Sequence, residues 1–258
     1  MIDLVFPIII LAILVIASYI DIKHKEIPDS ISYFIALIGI TSLIILKNNL
    51  FHALLMTIIV FGFCYVLYAS GLWGGGDAKL LTALTLYLSN FNYVGPLLYI
   101  FLMALSGIVY NNIIALWYLP KLIKKNKLNN KILLLVLAGL VVSLYMNSWF
   151  LALLILFGFD LYYFKKLEQD IMVITKKTKD LVEGDWLVSK IKKISLRKTG
   201  LSLEDIKEIK KQKIKSVKIK DGFAFIPAML LAFIVFFVMM YYNIINLETI
   251  YNYILMVL

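Results

Sequence analysis

Residues 8–20 read Ile-Ile-Ile-Leu-Ala-Ile-Leu-Val-Ile-Ala-Ser-Tyr-Ile and close on Asp21. No charge interrupts that run, and none interrupts Leu54–Leu67 or Phe223–Tyr242. Apolar blocks of this kind match the hydrocarbon core of a bilayer, which takes about 20 residues of helix. The whole chain agrees: of 258 residues 62% are hydrophobic and 16% charged, whereas a soluble domain is roughly half apolar and about a quarter charged. The first run lacks a basic start, carries Asp3 and ends on Asp21 rather than on an Ala-x-Ala-like site. It therefore reads as a permanent first helix and not as a cleaved signal.

Eight hydrophobic segments follow from the same pattern, at 2–20, 30–46, 51–70, 78–90, 96–119, 132–146, 149–163 and 222–242. The expected fold is an all-α polytopic membrane protein with six to eight transmembrane helices, eight favoured. A small α+β cytoplasmic domain is inserted before the last helix. The expected division is 1–163 for the helices carrying the candidate acids, 164–221 for the basic insert, and 222–258 for the final helix and tail. Of 26 Lys and Arg, 24 fall in 21–29, 119–131 and 164–221. Placing the N-terminus outside puts all three stretches in the cytoplasm, as the positive-inside rule requires. That clustering explains the net charge of +10 through the membrane surface, and no nucleic-acid partner is expected. The same charge placement makes 132–146 and 149–163 a hairpin turning near Asn147-Ser148, not one long helix.

The insert from Phe164 to Asp221 carries 17 basic and 9 acidic residues, a balance of 17 − 9 = +8. Ser202-Leu203-Glu204-Asp205 predicts a capped helix running to about Gln212. Lys213–Lys220 alternates with a period of two and predicts a strand. The insert reads as a small cap on the membrane surface, held partly by anionic headgroups. Cys64 is the sole cysteine, which excludes an internal disulfide and a cysteine-based zinc site. It reads as a small buried hydrophobe.

Ionisable residues at membrane depth are costly and need a reason. Asp21 ends the first apolar run within Ile20-Asp21-Ile22-Lys23-His24-Lys25-Glu26-Ile27-Pro28-Asp29, and Asp77 follows three glycines in Gly74-Gly75-Gly76-Asp77-Ala78-Lys79. Each has a structural explanation: Asp21 as a solvated carboxylate at a helix end, Asp77 as an N-cap. Together they suggest chemistry. Both fall at the same membrane boundary, on different helices. Two carboxylates near one water share a proton, so one can deprotonate water while the other donates to the developing oxyanion or leaving amine. The glycines let an extended substrate backbone come close.

Gly74-Gly75-Gly76-Asp77-Ala78-Lys79-Leu80 resembles the Gly-x-Gly-Asp-x-Lys signature of the prepilin and preflagellin peptidases. Asp21 with Lys23, His24, Ile27 and Pro28 is similar to that family's first-aspartate motif. Gly222-Phe223-Ala224-Phe225-Ile226-Pro227-Ala228 resembles its entry to the final helix, where a proline approaches the active site. The resemblance implies an intramembrane aspartyl endopeptidase with Asp21 and Asp77 catalytic. Gly74, Gly75, Gly76, Lys79 and Pro227 would lie along the substrate. It implies no metal and no cofactor, and partners that are precursors with class III signal peptides, archaellins and pilins, cut before their hydrophobic helix. The chain departs from many bacterial members: one cysteine excludes their zinc domain, and Asp29 stands where they usually have Asn. The basic insert resembles the archaeal branch.

Other chemistries fit less well. His24 and His52 are expected on opposite faces, and no His-Glu-x-x-His is present. Ser70-Gly71 and Ser106-Gly107 lack a Gly-x-Ser-Gly frame. Asp160, near the end of the seventh segment, is expected to be boundary-exposed, and Glu26 and Asp29 to be solvated. A non-catalytic transporter or scaffold is the alternative; it would favour internal repeats and mid-membrane charges, which the sequence lacks.

Overall fold

The computed structural model describes residues 2–71, 73–124, 130–148, 151–152, 154–159, 162, 173–188, 191, 194, 200–220, 222–242 and 244. In chain order the elements are α1 (Ile2–His24), α2 (Asp29–Ile45), α3 (Leu50–Ala69), α4 (Gly75–Leu88), α5 (Val94–Lys124), α6 (Asn130–Tyr145), β1 (Val173–Lys177), β2 (Trp186–Leu187), α7 (Leu203–Lys211), β3 (Ser216–Lys220) and α8 (Ile226–Tyr241). They form two compact units, one of Met1–Gly107 with Phe223–Leu258 and one of Ile108–Gly222.

The first unit is helical and apolar on both its inside and much of its outside. Its core holds Ile10, Leu14, Leu80, Leu84, Tyr99, Met229 and Phe233, all essentially inaccessible. Its outward side chains are equally apolar, with Ile16, Leu37 and Ile58 each more than half exposed. Side chains like these need a hydrocarbon solvent, and helices satisfy their own backbone polar groups there. Three helices among the described residues are long and apolar enough to cross a membrane: Leu4–His24, Leu50–Ala69 and Val94–Tyr118. Asp29–Ile45 and Ile226–Tyr241 are shorter and equally apolar.

Helix α4 differs from the others. It has 14 residues, about 21 Å of helix, and Leu80, Leu81 and Ala83–Leu88 are buried on every side. A helix apolar all round belongs inside a bundle. It lies against α2 and α3. Gly39 of α2 makes the approach possible, since a Cβ there would stand 2.8 Å from both the Leu86 Cβ and the Tyr87 backbone nitrogen. Tyr99 on α5 donates its hydroxyl to the Met229 carbonyl at 2.9 Å, which satisfies a buried phenol and fixes α5 to α8 within this unit.

Helices α1–α6 and α8 overlie seven of the eight expected segments, with two instructive shifts, and the expected segment 149–163 lies partly outside the described residues. The first helix continues past Asp21 to His24, with Lys23 and His24 in a last turn that favours cations. It stops at Lys25, whose φ of 58° is left-handed, and Pro28 then precedes α2. Helix α4 starts at Gly75, not after Asp77.

In the second unit, Asn147 adopts φ 53° after α6 and the chain doubles back. A Cβ on Gly139 would lie 3.0 Å from Ile155, so the expected hairpin forms here. The polar part holds a three-stranded antiparallel sheet in the order β1-β3-β2. Val217 and Ile219 of β3 are buried with Ile206 and Ile209 of α7. Ser202 caps α7 in a reciprocal capping box with Asp205, as its sequence predicts. The strand begins at Ser216 rather than Lys213, because Lys213 takes a left-handed φ of 54° and ends the helical turn.

Candidate active site

Asp21 projects from the last turn of α1, only 4% exposed. Its Oδ2 accepts a hydrogen bond from the backbone N–H of Ile226 at 3.0 Å. Ile226 is the first residue of α8, and the first N–H groups of a helix have no partner within it. The carboxylate thus sits on the positive end of the last helix, where a negative charge is stabilised. Pro227 follows at a first-turn position that needs no N–H. The explanation of Asp21 as a solvated helix-end carboxylate does not hold: it is buried and bonded.

Asp77 lies three residues after the N-cap of α4, which is Gly74 with extended φ −73° and ψ 147°. The N-cap explanation of Asp77 is therefore corrected. Its carboxylate reaches back to the Gly74 backbone N–H, the return half of a capping box. It is half-buried, and the Asp21 carboxylate acts on it electrostatically. The structure thus brings together the two acids singled out in the sequence, from α1 and α4.

The three glycines have different neighbours. A Cβ on Gly74 would stand 2.9 Å from the Asp77 Oδ2, one on Gly75 3.4 Å from the Tyr68 ring, and one on Gly76 3.7 Å from Ile27. Of the three, Gly74 is the one whose missing side chain makes room for the acid itself.

Lys79, which the resemblance places along the substrate, is held by Asp29. Its Nζ bonds both carboxylate oxygens of Asp29, at 2.7 and 2.8 Å. Asp29 is the first residue of α2, so this pair joins the segment after Asp21 to the segment after Asp77. Asp29 is exposed, as expected, and in addition carries this surface ion pair, both partners being about half exposed. Two further neighbours escaped the sequence reading. Phe225, the N-cap of α8, packs edge-on against Trp73 with ring centroids 5.7 Å apart. A Cβ on Gly107 would come within 3.3 Å of the same ring. The run of aromatics at 223–225 was the only local signal.

Among the described residues no group of three or more His, Cys, Asp and Glu could hold a metal ion. His52 packs edge-on against Tyr93, centroids 3.5 Å apart. Cys64 is fully buried in the helical core, as expected. Asp160 lies outside the described residues.

An apolar helical bundle holding two carboxylates that act on each other electrostatically, one anchored on a helix N-terminus, defines a carboxylate site within membrane-type helices. Residues 8–117 match the type IV leader peptidase family, a span that runs from α1 into α5 and contains both aspartates. Over that span the chain is similar to the prepilin peptidases, and the match supports a membrane peptidase that processes leader peptides of type IV prepilin-like precursors. No curated protein and no solved structure matches the chain.

Proposed function

We propose that Asp21 and Asp77 are the catalytic pair of an intramembrane aspartyl endopeptidase of the Gly-x-Gly-Asp type. It removes the short leader from archaellin-like or pilin-like precursors at the cytoplasmic face, as in the archaeal branch. The observation that carries this reading is the meeting of the two carboxylates from α1 and α4, with Asp21 tied to the Ile226 N–H.

In this mechanism one proton is held between the two carboxylates, since two like charges side by side cannot both ionise cheaply. The ionised member accepts a proton from water as the water oxygen attacks the scissile carbonyl. The protonated member gives its proton to the oxyanion. As the tetrahedral intermediate collapses, the C–N bond breaks and the amine leaves with a proton from the pair. The substrate lies along Gly74–Gly76 and Pro227, in extended form, beside the acids. The Lys- and Arg-rich connections mark the cytoplasmic side, with the N-terminus outside.

The test is cleavage of a tagged precursor bearing a class III signal peptide in membranes containing wild type, Asp21→Asn, Asp77→Asn or both. Both single variants should be inactive while remaining folded, and the double variant no worse than either, as for groups acting as a unit. An active Asp21→Asn would remove the pair from the mechanism.

A further inference from the structure

The three-stranded sheet has two unlike faces. Successive side chains of a strand alternate between faces. Ile174 pairs with Ile219 and Lys176 with Val217, so these share the inner face. That face is covered over β3, where Val217 and Ile219 pack with Ile206, Ile209, Leu181 and Leu201, while Ile174 on β1 is exposed. The one lysine on it, Lys176, is bonded to the Asp185 carboxylate at 2.9 Å.

The outer face is opposite in character. Thr175 pairs with Lys218 and Lys177 with Ser216, while Trp186 pairs with Lys220. Thr175, Lys177, Ser216 and Lys218 are all exposed. The Lys220 ammonium lies 4.8 Å from the centre of the Trp186 ring. None of the strand residues on this face is acidic. Lys177 and Lys218 are thus exposed on this face, with Lys220 and Trp186 partly buried beside them.

We propose that this outer face, through Lys177 and Lys218 beside Trp186, docks on anionic lipid headgroups of the bilayer that the chain itself spans. The chemistry favours that occupant. Lysine ammoniums are compact point charges suited to mobile phosphates rather than to a fixed, forked partner. Their stems lie along apolar surface while the heads reach for charge. Indole rings concentrate at the headgroup level of membranes. Five residues after β3 the chain enters the apolar run of α8, so the strand is within about 20 Å of chain from a membrane helix. A polybasic segment so close to a bilayer feels the surface potential of anionic lipids before screening removes it.

Site-directed spin labelling of the full chain in vesicles tests the proposal. With Cys64→Ala as background, labels are placed by Thr175→Cys on the outer face and Lys207→Cys on the exposed side of α7. Relaxation by a nickel-chelating lipid is compared in phosphatidylcholine vesicles and in vesicles that also contain phosphatidylglycerol. The Thr175 label should relax strongly only when phosphatidylglycerol is present, and the Lys207 label should not change. Each lysine accounts for about a fivefold change in the docked population. Lys177→Gln with Lys218→Gln should therefore lower the Thr175 response by about 25-fold, at unchanged melting temperature. Equal relaxation in both lipids, or a response that appears only when an acidic peptide is added, would overturn it.

Discussion

Replacing Gly74 with alanine adds one methyl group beside Asp77 and changes little else. The backbone there is extended, φ −73° and ψ 147°, a conformation open to any L-residue. The Gly74 N–H that Asp77 accepts from is retained. The new Cβ would stand 2.9 Å from Oδ2, against 3.4 Å for ordinary contact, so the carboxylate must move by 3.4 − 2.9 = 0.5 Å. A short side chain can make that shift for about 1 kcal/mol of off-rotamer strain. Loss of glycine entropy in the unfolded chain returns about 0.4–1 kcal/mol, so net stability should hardly change. Catalysis should respond, because a displacement of about 1 Å in a reacting group costs on the order of 100-fold. Half that displacement implies a loss of about tenfold in kcat/KM. The assay is initial-rate cleavage of a tagged precursor in proteoliposomes, alongside thermal unfolding of the same preparations. Gly75→Ala is the control, since its methyl meets the Tyr68 ring at an ordinary 3.4 Å. Wild-type rates for Gly74→Ala, or a rate loss matched by lost folded protein, would refute the reasoning.

Asp21→Asn keeps an oxygen to accept from the Ile226 N–H, whereas Asp21→Ala leaves that buried donor unpaired. Denaturant titration should show the Ala variant less stable than the Asn variant by about 1–3 kcal/mol. Activity across pH should trace a bell: at low pH both acids are protonated and no base remains, at high pH both are ionised and no acid remains. A monotonic profile would argue against a shared proton. Lys79→Asp should weaken the bond between α2 and α4 by no more than about 1 kcal/mol, and adding Asp29→Lys should restore whatever activity the single variant loses. If the swap restores nothing, Lys79 acts on substrate and not through Asp29. Dialysis against a chelator should leave cleavage intact; loss of activity that zinc restores would assign the water to a metal.

The helices were legible because a lipid-facing helix advertises itself by length and apolarity alone. Ser202 and Asp205 were equally plain, since a capping box is local. Asp21 and Asp77 stood out for the opposite reason, as charges where charge is expensive. What could not be read was who holds them. The partner of Asp21 is a backbone N–H 205 positions away, and a main-chain donor carries no sequence mark. That bond also explains why α1 runs on past Asp21: a carboxylate with a buried donor does not need to end the helix in water. The Lys79–Asp29 pair depends on how closely α2 approaches α4, which Gly39 allows through contact with Leu86 and Tyr87. Nothing in the local pattern of either helix announces that approach.

The bond between Asp21 and Ile226 also fixes when the surroundings of Asp21 can first be complete. Helix α1 leaves the ribosome early, yet the group that fixes its carboxylate is encoded 205 residues later. The span shared with the leader peptidases, 8–117, contains both acids but not that donor. A growing chain therefore carries its two aspartates before the donor that holds Asp21 has been made. The setting of Asp21 is complete only once the first and last helices have met.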